Sequence, residues 1–433
     1  MNPPSHSIAA EPAFRTPVRA WSRPRYLRQG LWVFLAVLAG AALWAALVDP
    51  YRVFRLVERP GFNMVKPRPD HDLAQIKLAA IDRLKPDALI LGNSRVEVGL
   101  DPHHASWAEA GLNAYSLALP GVDIATSRAV LNDAYRITAV KRLVEGVEFL
   151  DFLVGPNESV PRLADGGMYS RLKLQHLRLK AALTLAGQTD AFMTLLAQRS
   201  EGPKSMTDRG FNPLLEYRKI ARAEGYYAMF RQRLQENAQN YVKRPKTLQK
   251  RDGSKPSFEM LDEILGWARR HGTRVDLVIY PYHAQILELF RHLDMLPLFM
   301  DWKKQLAAQV QAARAAGTDV RLWDFSGYHA YACEAVPARG DKSSVVAHYW
   351  ESGHFKKELG DLMLARMLRG AQVGENFGIA LDAPDAVDSS PAFSAAARAA
   401  CFEAYPGMAA EVESVLPAAA PARPPAVATV PKA

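Results

Sequence analysis

The amino-acid sequence predicts an α/β protein: a doubly wound parallel sheet with a helical insertion, carried behind one N-terminal transmembrane helix. Three observations lead there. Short, continuously apolar runs at 87–91, 113–118, 147–154, 274–280 and 319–323 suit strands of a parallel sheet covered on both faces. Helix-period segments separate them, and a helix–glycine–strand couplet recurs at 257–280 and 302–324, as successive βαβ crossovers would. Finally, residues 30–48, GLWVFLAVLAGAALWAALV, form one uncharged apolar stretch.

Taken in order, residues 1–29 are polar and rich in Pro and Arg, the composition of a disordered cytoplasmic tail. Leu31 to Val48 runs 18 residues without a charge, about 27 Å as a helix and close to the hydrocarbon thickness of a bilayer. Arg15, Arg19, Arg23, Arg25 and Arg28 precede it and Arg52, Arg55 and Arg59 follow. That imbalance favours a cytoplasmic N-terminus, with the main domain on the periplasmic side of a bacterial inner membrane. Ala39-Gly40-Ala41 also has the form of a signal-peptide cleavage site, so anchoring and cleavage both stay open, and either exports the domain. Residues 49–70 are Pro-bearing and read as a stalk, and 71–372 carry the alternating α/β pattern.

Helix 257–272 has a stripe of Phe258, Leu261, Ile264, Leu265 and Ala268, with Gly272 placed to end it. Residues 160–255 are too long for a loop and too weakly strand-like for sheet. Their helix-period segments at 168–198 and 214–240 predict a helical insertion, whether lid, substrate platform or packing. Residues 373–433 turn small and polar and close on PAAAPARPPAVATVPKA, which reads as a disordered Ala/Pro-rich tail.

The composition is that of a folded protein: 49% hydrophobic and 23% charged over 433 residues. The net charge of +9 is spread along the chain with no compact basic run among aromatics, which argues against nucleic acid as a partner. Cys333 and Cys401 could form one disulfide in an oxidising compartment or remain two unrelated thiols. No Cys-x-x-Cys pair supports a zinc ribbon or a thioredoxin-type site.

Two segments could carry chemistry: DALILGNSR (87–95) and HYWESGHFKKELGDLMLARMLRG (348–370). There is no Gly-x-Ser-x-Gly elbow, Walker A loop, Gly-x-Gly-x-x-Gly or His-Glu-x-x-His. Ser94 ends an apolar strand, either as a nucleophile on a sharp turn or as the cap of the next helix. Glu351-Ser-Gly-His354 reads as a loop running into the first turn of the last helix. A carboxylate there can accept from the histidine Nδ1–H and leave Nε2 as a base for a serine; the alternative is an exposed first-turn pair. Arg95, Tyr282, His283 and Trp350 are candidates for touching substrate, with turn capping or core packing as alternatives for the last two. Asp151 lies near the site or pairs with Arg95.

These residues resemble the SGNH (GDSL-like) hydrolase superfamily over about residues 85–370, most closely membrane-anchored bacterial proteins related to alginate O-acetylation. The family's Gly-Asp-Ser block is here Gly92-Asn93-Ser94, and its second-block glycine is matched by Gly121 in SLALPGVD. Its third-block asparagine is matched by Asn157 in LVGPNES, without the usual Gly-x-Asn-Asp, and its Asp-x-x-His by Glu351-x-x-His354. The resemblance implies a three-layer α/β/α, flavodoxin-like fold of SGNH type and catalysis by Ser94, His354 and Glu351. It also implies an oxyanion hole from the Ser94 N–H, the Gly121 N–H and Asn157, and no metal or organic cofactor. The implied activity is ester hydrolysis or O-acyl transfer on acetyl esters of a cell-envelope or exported polysaccharide. Asn93 and Glu351 each stand where the family has aspartate. A non-catalytic SGNH-like protein with envelope-assembly partners is therefore the alternative, and it separates from the enzyme by whether Ser94 Oγ and His354 Nε2 lie within hydrogen-bond reach.

Overall fold

The structure, a computed structural model, describes residues 23–69, 71–164, 166–200 and 205–416. The expected tail before residue 23 and the segment 417–433 lie outside the described residues. About half of the chain is helical around a parallel-dominated sheet. Strands β1 (Ala88–Leu91), β2 (Ala114–Ser116), β3 (Arg142–Val147), β4 (Arg274–Ile279) and β5 (Val320–Asp324) are parallel in the order β2-β1-β3-β4-β5. Every side chain of β1 and β3 is buried, so neither strand shows the polar alternation of a half-exposed sheet. Leu91 lies opposite Glu145 and Val147 opposite Ile279, which brings the loops after β1, β3 and β4 to one edge.

The third strand departs from expectation. It occupies Arg142–Val147, so the expected run 147–154 begins where the strand ends, and Phe149–Phe152 coil into a single 3₁₀ turn. The apolar run is real, but its rings pack sideways: Phe149 on Phe290, Phe299 and Trp302, and Phe152 on Phe258 and Trp302. Tertiary aromatic packing here overrides a strand-like sequence.

Helix α1 (Arg23–Val48) is long and apolar enough to cross a membrane. Next come α2 (Leu73–Leu84), α3 (Ser94–Gly99), α4 (Ala105–Glu109) and α5 (Ile124–Ile137). The insertion is four helices, α6 (Arg171–Leu183), α7 (Leu185–Ala197), α8 (Leu215–Glu224) and α9 (Tyr226–Tyr241). Each of the two expected segments is divided in two, at Thr184 and at Gly225, whose φ of +82° a side chain would resist. The α/β pattern resumes with α10 (Pro256–His271), α11 (Ala284–His292), α12 (Leu296–Ala315) and α13 (Lys357–Arg369). Helices α2, α5, α10 and α12 pack in a row, while α3, α4 and α13 form a second group.

The expected stalk is compact. The Asp49 carboxylate accepts from the Val53, Phe54 and Arg55 amides at 2.8, 3.1 and 2.6 Å. Buried Asn63 and Lys66 donate to the carbonyls of Leu47, Val48 and Asp49, filling the acceptors that α1 leaves open at its C-terminus. Much of the expected tail is also folded. After the hairpin strands β6 (Tyr349–Glu351) and β7 (His354–Phe355), strand β8 (Ile379–Ala380) pairs antiparallel with β5. Helices α14 (Asp385–Asp388), α15 (Ala395–Ala404) and α16 (Met408–Glu413) follow, burying Val387, Met408 and Val412. Cys401 of α15 is disulfide-bonded to Cys333, so the two thiols are one bridge.

Candidate active site

The turn from β1 into α3 is built on Gly92, at φ +137°. A Cβ there would sit 2.8 Å from Val96 Cγ2 and 3.2 Å from Tyr280 Oη, so the sharp approach requires glycine. Asn93 is the helix cap: its Oδ1 accepts from the Arg95 N–H at 3.0 Å. That leaves the Ser94 hydroxyl free of capping, and it lies 2.8 Å from His354 Nε2. The Ser94 N–H, at the first helical position, has no partner in the helical ladder.

His354 does not stand in a loop entering α13. Glu351 and His354 face each other across the β6–β7 hairpin, turned by Ser352-Gly353, and α13 begins three residues later. Tyr349 and Trp350 favour extended backbone, and the Glu351 Oε2 accepts from the Gly353 N–H at 2.6 Å, which closes the turn. The other carboxylate oxygen accepts from His354 Nδ1. The tautomer that follows has Nδ1–H donated to Glu351 and Nε2 open to the serine proton. Glu351 is only 2% exposed. Burial pushes its carboxyl up, but His354, Arg233 (Nε 3.2 Å away) and the Gly353 amide outweigh burial and hold it at about 2. It is an ionised carboxylate aimed at the histidine, not an exposed first-turn residue.

Arg95 lines the cavity over Ser94, yet its polar atoms are committed to protein partners. Its Nε donates to the Gly353 carbonyl at 2.7 Å, its Nη1 pairs with Glu148, and its guanidinium lies over the rings of Tyr280 and Tyr282. Glu148 also accepts from the Tyr282 hydroxyl at 2.9 Å and from Asn93 Nδ2 at 3.4 Å. Arg95 therefore ties the serine helix to the histidine hairpin, with Glu148 and not Asp151 as its partner. Tyr282 likewise serves this knot. Sequence reasoning missed both Glu148 and Arg233. Glu148 could have been found as the first residue past a strand that ends at Val147, had that end been placed correctly, whereas Arg233 in α9 carries no sequence signal.

A cavity of about 750 Å³ opens over Ser94 and His354. Gly121, at φ +68°, lines it, and so does Asp151, whose carboxyl burial pushes up to about 7. The far wall belongs to the insertion: Arg233, Asn237, Tyr241, Lys243 and Arg244. Asn237 Nδ2 and Tyr241 Oη on that wall are buried without a hydrogen-bond partner. Three expected residues fall elsewhere. Asn157 is exposed in the turn after β3 and is not among the lining residues. His283 is buried, capping α11 through Nδ1 and donating from Nε2 to the Glu334 carbonyl at 2.9 Å. Trp350 lines a separate cavity of about 470 Å³ with Tyr226 and Lys356, because neighbouring residues of a strand point to opposite sides. Among the described residues, no group of three His, Cys, Asp or Glu side chains is arranged to hold a metal ion.

No family model matches the chain, and no curated protein does. The site therefore rests on its own geometry: a serine, a histidine and an ionised carboxylate in sequence, at the carboxyl edge of a parallel sheet. Such an arrangement can move a proton off a hydroxyl and return it to a leaving group.

Proposed function

We infer that the chain is a membrane-anchored serine esterase or O-acyltransferase acting on acetyl esters of a cell-envelope or exported polysaccharide. The observation that carries this is the 2.8 Å contact of Ser94 Oγ with His354 Nε2, backed by Glu351 on Nδ1. The strand order β2-β1-β3-β4-β5 reverses direction beside β1, where ligands bind in open α/β sheets. With helices in two packed groups, that order supports the three-layer SGNH-type reading.

In this reading Ser94 Oγ attacks the acyl carbon as its proton passes to His354 Nε2, and Glu351 stabilises the imidazolium. The Ser94 and Gly121 amides receive the oxyanion, each such donor being worth about 3–4 kcal/mol in acyl transfer. Asn237 Nδ2, buried and unpartnered in the same cavity, takes the side-chain role expected of Asn157. Collapse expels the alcohol, which takes the proton from Nε2. Water or an acceptor hydroxyl then gives its proton to Nε2 and attacks the acyl-Ser94 ester, and collapse releases the acid or the new ester as Ser94 Oγ takes the proton back from Nε2. Exposed Lys243 and Arg244 at the cavity suit a glycan bearing carboxylates. Helix α1 supports the membrane anchor, and a periplasmic domain predicts that a reporter fused after residue 416 is active only outside the cytoplasm.

The test uses the full chain in membranes with a nitrophenyl acetate and a fluorophosphonate. Wild type turns over the ester and is labelled, and Ser94→Ala and His354→Ala lose both. Glu351→Gln lowers kcat by about 10²–10⁴-fold while leaving Ser94 in place. Full activity in either alanine variant removes the assignment, and an inert wild type leaves the envelope-assembly alternative.

A further inference from the structure

Helices α6 and α7, joined at Thr184 into a helical hairpin, pack on each other and both on α1, and hydrogen bonds to α1 and the collar fix the level of the pair. Midway along α6, Arg178 Nε donates to the Val53 carbonyl at 3.0 Å, and just past the end of α7 Gln198 exchanges bonds with the Val65 backbone at 2.7 and 3.0 Å. Near the tip, Gln188 Nε2 donates to the carbonyl of Ala41 at 3.1 Å. Ala41 lies seven residues before Val48, about 10 Å back along the helix at 1.5 Å per residue. The hairpin thus runs from the collar at residues 49–65 down the side of α1, with its turn at Thr184 level with the interior of the apolar stretch.

Its composition matches that depth. From Ala181 to Gln198 the single charged residue is Asp190, which accepts from the hydroxyl of Tyr51 just past the end of α1. Gly187, Ala191, Thr194 and Ala197 are buried, small residues that allow close helix packing. The opposite face is apolar and uncovered: Leu185 is 84% and Phe192 55% exposed, with Leu179, Leu183, Met193 and Leu196 also exposed. An apolar face of this kind on a water-soluble surface is anomalous, and Val33, Phe34 and Val37 of the adjoining α1 are exposed as well. Cations stop short of residue 181: Arg171, Lys173, Arg178 and Lys180 of α6, the last paired with Asp72, and Arg52, Arg55 and Arg59 of the collar lie on the side where lipid headgroups would lie.

We propose that the α6–α7 hairpin is a second membrane element, its tip at residues 181–189 immersed in the leaflet on the domain side of the bilayer that α1 crosses. The occupant of its bare face is lipid acyl chain, and the occupant of its cationic rim is anionic headgroup. The hairpin then holds the domain at a set height and orientation, which a single helix alone cannot do. The proposal rests on α1 spanning the membrane.

Because Cys333 and Cys401 are bonded to each other, one introduced cysteine is the only free thiol for labelling. The full chain carrying Leu185→Cys, Phe192→Cys, Val37→Cys or, as a water-facing control, Val345→Cys is labelled with a polarity-sensitive fluorophore. Each is reconstituted in vesicles of phosphatidylcholine and phosphatidylglycerol. The expected result is blue-shifted emission at 37, 185 and 192, lost when acyl-chain spin-labelled lipid is included, and wet emission at 345 quenched by aqueous iodide. A lipid-facing 37 with 185 and 192 quenched by iodide overturns the hairpin and leaves the α1 span standing. Wet signals at 37, 185 and 192 overturn both. Protection from iodide at 185 and 192 without quenching by the spin-labelled lipid also overturns the proposal, because it assigns the face to a protein partner.

Discussion

Position 93 shows how one atom can set a requirement. The Asn93 amide donates to Glu148 while its oxygen caps α3. A carboxylate in its place would still cap, since aspartate is as good there as asparagine, but it would turn an acceptor toward buried Glu148. The SGNH-like reading expects aspartate at this position, and Glu148 supplies a physical reason for the asparagine. Asn93→Asp is predicted to destabilise by about 1–3 kcal/mol, the range for a buried hydrogen bond replaced by an unsatisfied polar contact. Urea unfolding of the two proteins measures it, and equal midpoints would refute the account. Arg95 belongs to the same scale. It lies next to the candidate nucleophile in sequence, yet it acts on His354 only through the Gly353 carbonyl, as a positioning residue.

Helix α11 makes its own prediction. His283 accepts the Gln285 N–H on Nδ1 and donates from Nε2, so the neutral ring satisfies both contacts and a second proton would displace the cap. Burial lowers its pKa to about 4, and His329, bonded likewise to the Ala332 amide and the Phe325 carbonyl, is lowered to about 4 as well. A folded pKa below the unfolded value near 6.5 means that the unfolded chain binds more protons between those limits. The stability these residues contribute is complete above pH 6.5 and is lost as the pH falls toward 4. Unfolding free energies measured across that window should decline with acid, and His283→Asn, which keeps a capping side chain without titrating, should shrink the decline. An unchanged slope in that variant would show that His283 does not titrate as described.

Across the whole molecule, the C-terminal segment is structural. Cys333–Cys401 closes a 68-residue loop, which the chain-entropy relation makes worth about 4 kcal/mol against the unfolded state. The same segment adds β8 to the sheet edge and pairs Arg398 with Glu288 at 2.6 Å. Cys401→Ser is therefore expected to lower Tm while leaving the Ser94–His354 contact, and with it fluorophosphonate labelling at low temperature, intact. Unchanged Tm in that variant, by calorimetry under non-reducing conditions, would contradict the role. A chain ended at residue 372 would lose the bridge, β8 and α15 together, and should unfold more readily than the single variant.

What could be read from the sequence was local. Four apolar residues in a row announced β1, eighteen uncharged residues announced α1, and the Glu351-x-x-His354 spacing put a carboxylate within reach of a histidine ring. The third strand, expected at 147–154 but formed at 142–147, the stalk that proved a collar and the tail that proved a lobe were misread because their partners are distant in the chain. Phe149 needs Phe290 and Trp302, Lys66 needs the end of α1, and Cys401 needs Cys333. The same holds at the site. The sequence by itself determined a parallel sheet with Ser94 at a strand end and His354 near the last helix. Only the tertiary structure bonded them across 260 residues, turned Arg95 inward onto Glu148, and sent Asn157, His283 and Trp350 elsewhere. Burial and pairing depend on which surfaces meet, and residue spacing does not encode that.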